Sequence, residues 1–271
     1  NFSFSIIAEG KFLSYQWKKD GINLAGETNA TLNIIDANAT LHDGNYSVVV
    51  SNDFGNIETN AFEFSVINQN AISQGLVAWY PFDGNASDMS GNGNHGTVHG
   101  ASLGTDRHGQ ANKAYKFDGN DWIEVPHNND FNFVNSEPFT ISLWCNLDAV
   151  VYGGTIMEKW FNSYDPYPFT LRYSVSSSSD LNFGAYRFSG GSDPATALNF
   201  VKPFDESYDH LAFLSKDSSV YLYVNSKLED QKVFTPADFS NSHKLIFGKR
   251  NGVTTRNLYG SIDDVRIYDR A

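Results

Sequence analysis

At 271 residues, with 41% hydrophobic and 15% aromatic side chains, the chain has enough apolar material for one large or two smaller packed domains, which excludes a disordered protein. A formal net charge of −12 argues against nucleic acid and anionic membrane surfaces as partners, because basic patches supply that affinity. The single cysteine, Cys145, excludes an internal disulfide, and no apolar run is long enough for a membrane-spanning helix.

Tyr, Phe, Val, Ile and Thr gather in short runs broken by 22 glycines and many asparagines. No long stretch carries the 3.6-residue period of a helix, so the chain reads as all-β. It opens on a strand-like pattern at Asn1–Ile7, which is the expectation for a piece of a longer protein. Residues 1–67 hold short strand patterns with turns every eight to twelve residues. Tyr15-Gln-Trp-Lys-Lys-Asp-Gly21 places Trp17 on a strand ending in an Asp-Gly turn. Asp43-Gly-Asn-Tyr-Ser-Val-Val-Val50 puts Tyr46 at a strand start, where its hydroxyl can bond back to the preceding loop.

A Trp on one strand and a Tyr at such a corner resemble an immunoglobulin-like sandwich of the cysteine-free kind found in bacterial surface proteins. The resemblance departs from the antibody pattern: no Cys precedes Trp17, Val48 stands where the second would be, and the first strand is missing. Trp17 and Tyr46 are expected in the core of a spacer domain. Residues 68–75 are polar, lack periodicity and end in glycine, as a linker does.

Residues 76–271 carry the rhythm of a larger antiparallel sandwich. Leu76–Phe82 is strand-like and leads into the loop Asp88-Met-Ser-Gly-Asn-Gly-Asn-His-Gly96. Tyr115–Pro126 reads as strand, Asp-Gly-Asn turn and strand. Phe139–Cys145 and Val220–Val224 alternate apolar and polar residues, with Asn225-Ser-Lys227 a hairpin turn after the latter. Leu245–Gly248 and Ile262–Tyr268 close the domain. In order along the chain, Leu76–Gly96, Phe117–Pro126, Phe139–Trp144, Asp209–Ala212, Val220–Asn225 and Gly260–Tyr268 resemble the laminin-G-like, concanavalin A-like lectin/glucanase superfamily. The resemblance implies a jelly-roll of two antiparallel sheets with a concave face often used for glycans.

Such a frame admits three kinds of chemistry. Retaining glycoside hydrolysis needs two carboxylates about 5–5.5 Å apart. On a strand that means alternating acidic residues, and no glutamate of the chain stands in such a run. His210 and His243 sit in or beside strand-like runs with no Ser/Asp catalytic partner apparent and read as structural, so no catalytic residue is assigned. Calcium takes six to eight oxygen ligands, and the Asp88–Gly96 loop supplies one carboxylate, two Asn amides and a Gly-rich backbone. Related sandwiches hold a structural calcium between such a loop and an Asp of the last strand. That implies Asp88, Asn92, Asn94 and Asp263 as ligands; the alternative is a metal-free Asx-capped turn. Asp118 and Asp121 are a weaker second candidate.

Glycan recognition needs an exposed aromatic platform flanked by hydrogen-bonding groups. Glu158–Pro168 offers Trp160, Tyr164 and Tyr167 on a loop, with Tyr186, Arg187 and Trp122 as further candidates. The alternative is that these rings pack against a sheet edge. Trp79 and Trp144, on motif strands, are expected in the core. The resulting expectation is a non-catalytic, calcium-stabilised carbohydrate-binding module of a secreted or cell-surface protein, with a polysaccharide or glycan as partner. An adhesin or stalk segment contacting another extracellular protein is the second reading, and a divergent glycan-active enzyme the third.

Overall fold

The computed structural model describes residues 2–66, 72–149, 153–160, 165–175, 180–190, 196–251 and 255–271. The chain divides into two compact units, Asn1–Gln74 and Gly75–Ala271.

In the first unit, β1 (Phe2–Ser5) pairs with β4 (Thr31–Ile34). A second sheet orders β3 (Ile22–Asn23), β2 (Ser14–Lys19), β5 (Gly44–Asn52) and β6 (Gly55–Glu58), with β7 (Phe62–Phe64) also on β5. The β2–β3 hairpin turns on Asp20 and Gly21, both at positive φ (51° and 78°), the twist that tight hairpins require. Trp17, Leu32, Ile34, Tyr46 and Val48 form the core between the sheets. The one-turn helix α1 (Ala39–His42) is capped by Asn38, whose side chain accepts from the Leu41 N–H. Its last residue receives the Tyr46 hydroxyl, which donates to the His42 carbonyl at 2.8 Å.

The second unit contains β8 (Leu76–Tyr80), β9 (Thr97–His99), β10 (Ser102–Thr105), β11 (Ala111–Asp118), β12 (Trp122–Val125), β13 (Phe139–Leu147), β14 (Gly154–Glu158) and β15 (Tyr167–Val175). They are followed by β16 (Asp180–Phe188), β17 (Thr196–Pro203), β18 (Asp209–Lys216), β19 (Ser219–Val224), β20 (Lys227–Val233), β21 (Leu245–Phe247) and β22 (Tyr259–Tyr268). One eight-stranded sheet runs β10-β11-β22-β13-β18-β19-β20, with β8 beside β22; the seven-stranded sheet runs β17-β16-β15-β14-β21-β12-β9. The first and last strands of the unit are thus antiparallel neighbours, with Tyr80 opposite Val265.

One apolar core joins the sheets, built from Ile141, Leu143, Leu211 and Phe213 of the larger and Phe169, Leu171, Phe183 and Leu245 of the smaller. Strict alternation in β13 explains this: every second residue from Phe139 to Leu147 is buried. Cys145 is one of these core residues, and burial pushes its thiol pKa up. The Asp-Gly-Asn turn after β11 carries the chain from one sheet to the other, because β11 pairs with β22 whereas β12 pairs with β9 and β21.

Alternation breaks within β22. Asp264 has φ 47°, and the register against β13 slips between Ser142 and Trp144. Ile262 and Val265, three residues apart, therefore both reach the core, and Asp263 and Asp264 are delivered to the outer face together.

Candidate functional site

On β15, Phe169, Leu171 and Tyr173 join the core, so the alternate residues Thr170, Arg172 and Ser174 belong to the opposite face. On β16 the same parity leaves Asn182, Gly184 and Tyr186 on that face. Glu158, opposite Thr170 in the β14–β15 ladder, joins them. This outer face of the seven-stranded sheet holds a pocket of about 180 Å³ lined by Arg172, Ser174, Asn182, Tyr186, Arg250 and Arg256, among others. Gly184 makes room for it: a Cβ there would meet the Tyr186 ring at 2.4–2.7 Å, so only glycine lets that ring lie across the strand.

Beneath the pocket Glu158 is fully buried. One of its oxygens accepts from the Asn251 N–H at 2.6 Å; the other stands 3.7 Å from Arg172 Nη2, too far for a hydrogen bond. Burial pushes the Glu158 pKa up to about 7, against the pull of Arg172, the Asn251 N–H and Arg250. Burial likewise lowers Arg250 to about 10, with Arg172 nearby adding to the shift, so the Arg250 guanidinium stays charged at neutral pH.

Aromatic rings fix the two guanidiniums. Arg250 lies 4.1 Å and Arg172 5.5 Å from the Trp160 ring centroid, and Arg172 is 5.4 Å from that of Tyr186. Several polar atoms here are buried without a hydrogen-bond partner: Arg172 Nε and Nη2, Arg250 Nε, Asn182 Oδ1 and Glu158 Oε2. An orphaned buried polar group costs about 1–3 kcal/mol, so several of them together set this face apart from the rest of the sheet.

The aromatic residues expected to form an exposed platform are placed differently. Trp160 and Tyr167 are 5% and 6% exposed and form a small cluster with Phe188, against which the half-buried Tyr186 packs. Their rings cover the sheet, which the Pro- and Asn-rich sequence of that loop conceals. Tyr164 lies outside the described residues. Arg187 is fully buried in the core: it donates to Ser215 Oγ and to the Phe133 carbonyl, and lies 3.8 Å from the Phe239 ring centroid. It points opposite to Tyr186 because adjacent strand residues face opposite sides. Trp122 is half-buried, stacked on His99 at 4.6 Å with the Lys249 ammonium over its ring. Trp79 and Trp144 are not core residues but half-buried on the outer face of the larger sheet, where Arg266 and Arg107 lie over them.

The residues expected to bind calcium are engaged by protein partners. Both Asp88 oxygens are engaged by protein donors, the N–H groups of Trp79, Ser90 and Asn94 and the Ser90 hydroxyl, all at 2.9 Å. Asn92 donates its amide to the carbonyls of Leu76 and Val77. Asn94 donates to Val77 O and accepts from Asn128. Asp263 is paired with Arg107 at 2.6 Å, and Arg107 also reaches Asp264 at 3.2 Å. Burial raises the Asp263 pKa and Arg107 opposes the rise. Donors and a guanidinium aimed at both carboxylates do not fit a cation shared between Asp88 and Asp263. Asp118 and Asp121 serve their own turn, Asp121 accepting from the Asp118 N–H and Asp118 from the Asn120 N–H.

Two histidines read as lacking partners have them. His210 Nε2 is 2.8 Å from Ser142 Oγ, and His243 Nε2 is 3.0 Å from Asp165 Oδ2. The sequence separations of 68 and 78 residues hid both. Arg172, Asn182 and Arg250 are likewise distant in sequence and meet only in the folded sheet. The usable signal was a charged residue inside an apolar alternating run, Arg172 in Tyr167–Val175.

Two antiparallel sheets share one core as a β-sandwich, and a family model for the concanavalin A-like lectin/glucanases superfamily matches residues 117–271. The chain belongs to that superfamily. No curated protein matches it. Among solved structures, domain 4 of AbnA, a GH43 extracellular arabinanase from Geobacillus stearothermophilus, in complex with arabinotriose, superposes with a TM-score of 0.53 at 20% identity. That match covers 71% of this chain and 91% of the other. The binding domain of Paraclostridial Mosquitocidal Protein 1 gives 0.57 at 18% identity over 74% of this chain. A structure of botulinum neurotoxin type C, whose cell entry depends on interaction with two ganglioside molecules, gives 0.57 at 17% over 75%. The chain spans 50% of each of these two toxin structures. At such identities the likeness is one of fold.

Proposed function

We propose that the second unit is a non-catalytic carbohydrate-binding module of an extracellular protein, with its ligand on the outer face of the seven-stranded sheet. The observation that carries this reading is the pocket in which Arg172, Asn182 and Arg250 present buried polar atoms without partners beside the Tyr186 ring. Hydroxyl and ring-oxygen groups of a sugar can satisfy those atoms, and the ring offers a stacking surface. The match to an arabinanase domain in complex with arabinotriose supports the same reading. A binding role suits the lining better than hydrolysis, since none of its described residues is an Asp or Glu. The first unit, with its buried Trp17 and its Tyr46–His42 bond, fits an immunoglobulin-like spacer.

The test is binding of the purified chain to a polysaccharide and glycan panel. Saturable binding that falls at least tenfold in Arg172→Ala, with thermal unfolding unchanged, supports the proposal. A folded protein that binds nothing on the panel sinks it. The second reading, a segment adhering to another protein, would then gain weight from the exposed apolar residues Ile7, Phe12, Phe54 and Ile57 of the first unit.

A further inference from the structure

The pocket chemistry goes further than "a sugar". We propose that its ligand is a sugar unit bearing a carboxylate, a uronate or a sialyl residue, held by the guanidiniums of Arg172 and Arg250; this rests on the binding reading above. In a chain with 31 acidic and 19 basic residues, three arginines line one small pocket, and no described acidic residue does. The nearest carboxylate, Glu158, lies beneath and is shared by Arg172 and Arg250, so the pair keeps an excess of positive charge.

Geometry specifies the anion as well. Arg172 is held against the rings of Trp160 and Tyr186, and Arg250 against Trp160. These contacts hold the two guanidiniums in the pocket lining, where they meet Arg256. A planar fork of such donors matches a carboxylate, with two parallel charge-assisted bonds. Asn182 adds an acceptor for a neighbouring hydroxyl. The volume, about 180 Å³, is below the range of roughly 300–1,000 Å³ of drug-sized sites, which suits one sugar unit of a chain rather than several.

The experiment is titration calorimetry of the full chain with paired probes. Oligogalacturonate, oligoalginate and oligoglucuronate are each compared with their carboxyl-reduced forms, and sialyllactose with lactose. We expect at least one acidic probe to bind saturably, its neutral counterpart to bind at least tenfold more weakly, and affinity to fall as salt rises. The acidic arm that binds identifies the source of the carboxylate. Arg172→Lys, which keeps the charge but loses the fork, should weaken binding several-fold, and Asn182→Ala provides an independent variant should Arg172 changes unfold the chain. Neutral probes binding as tightly as acidic ones would overturn the carboxylate while leaving the glycan-binding reading intact. No binding by any probe would overturn both.

Discussion

Glu158 and Arg172 stand 3.7 Å apart on neighbouring strands, one wholly buried and the other only slightly exposed, without a hydrogen bond between them. A buried ion pair usually reaches full hydrogen-bonding geometry, because desolvation of both charges must be offset. Here both partners keep unsatisfied atoms. The pair therefore does not close on itself.

That arrangement makes stability depend on pH with a defined sign. The folded state holds the Glu158 pKa at about 7, above the ordinary 4.5, so between these values the folded chain binds more protons than the unfolded one. The stabilising contribution is complete below about pH 4.5, is lost as pH rises to about 7, and is flat beyond. Chemical denaturation from pH 4 to 8 should show wild type losing stability relative to Glu158→Gln across that window, by at most about 1.4 kcal/mol per pH unit. A difference independent of pH would refute it.

Arg187 tests the opposite role. Its guanidinium bonds Ser215 and the Phe133 carbonyl beneath the rings of Phe139, Phe234 and Phe239. Arg187→Ala should cost on the order of 3–5 kcal/mol through the cavity and the orphaned carbonyl. At low temperature, where the variant stays folded, ligand affinity should match wild type. Retained stability with lost affinity would return Arg187 to the binding surface.

Asp88 gathers four donors, three of them backbone N–H groups, so Asp88→Ala should destabilise the second unit by roughly 3 kcal/mol. Because the carboxylate serves protein donors, the loss should be equal in calcium and in a chelator. A loss seen only with calcium present would show that the ion, not the hydrogen bonds, carries the effect.

In the first unit, Tyr46→Phe removes only the bond to the His42 carbonyl. Urea denaturation should report a loss of about 0.5–1.5 kcal/mol. No loss would mean that water replaces the hydroxyl and that the corner is held by ring packing on Phe4, Phe62 and Phe64 alone.

How much of this was legible can be traced residue by residue. Local rules carried the strands: alternation gave β13 and β19, and Asp20-Gly21 and Asn225-Ser226 announced hairpins that the structure makes with positive φ at all four positions. Of the rings expected to form an open platform, Trp160 and Tyr186 lie against the arginines, and Tyr167 packs with Trp160 and Phe188.

The sequence by itself determined that this is an all-β chain whose period-two patterns specify which residues can enter a core, because that information lies between near neighbours. Tertiary structure alone decided which polar residues meet. The bulge at Asp264 handed Asp263 to Arg107, and the pairing of β14, β15 and β16 brought Glu158, Arg172 and Asn182 to one face. Those encounters depend on register between distant strands and on how rings fill the remaining space, and neither is written in any local stretch of sequence.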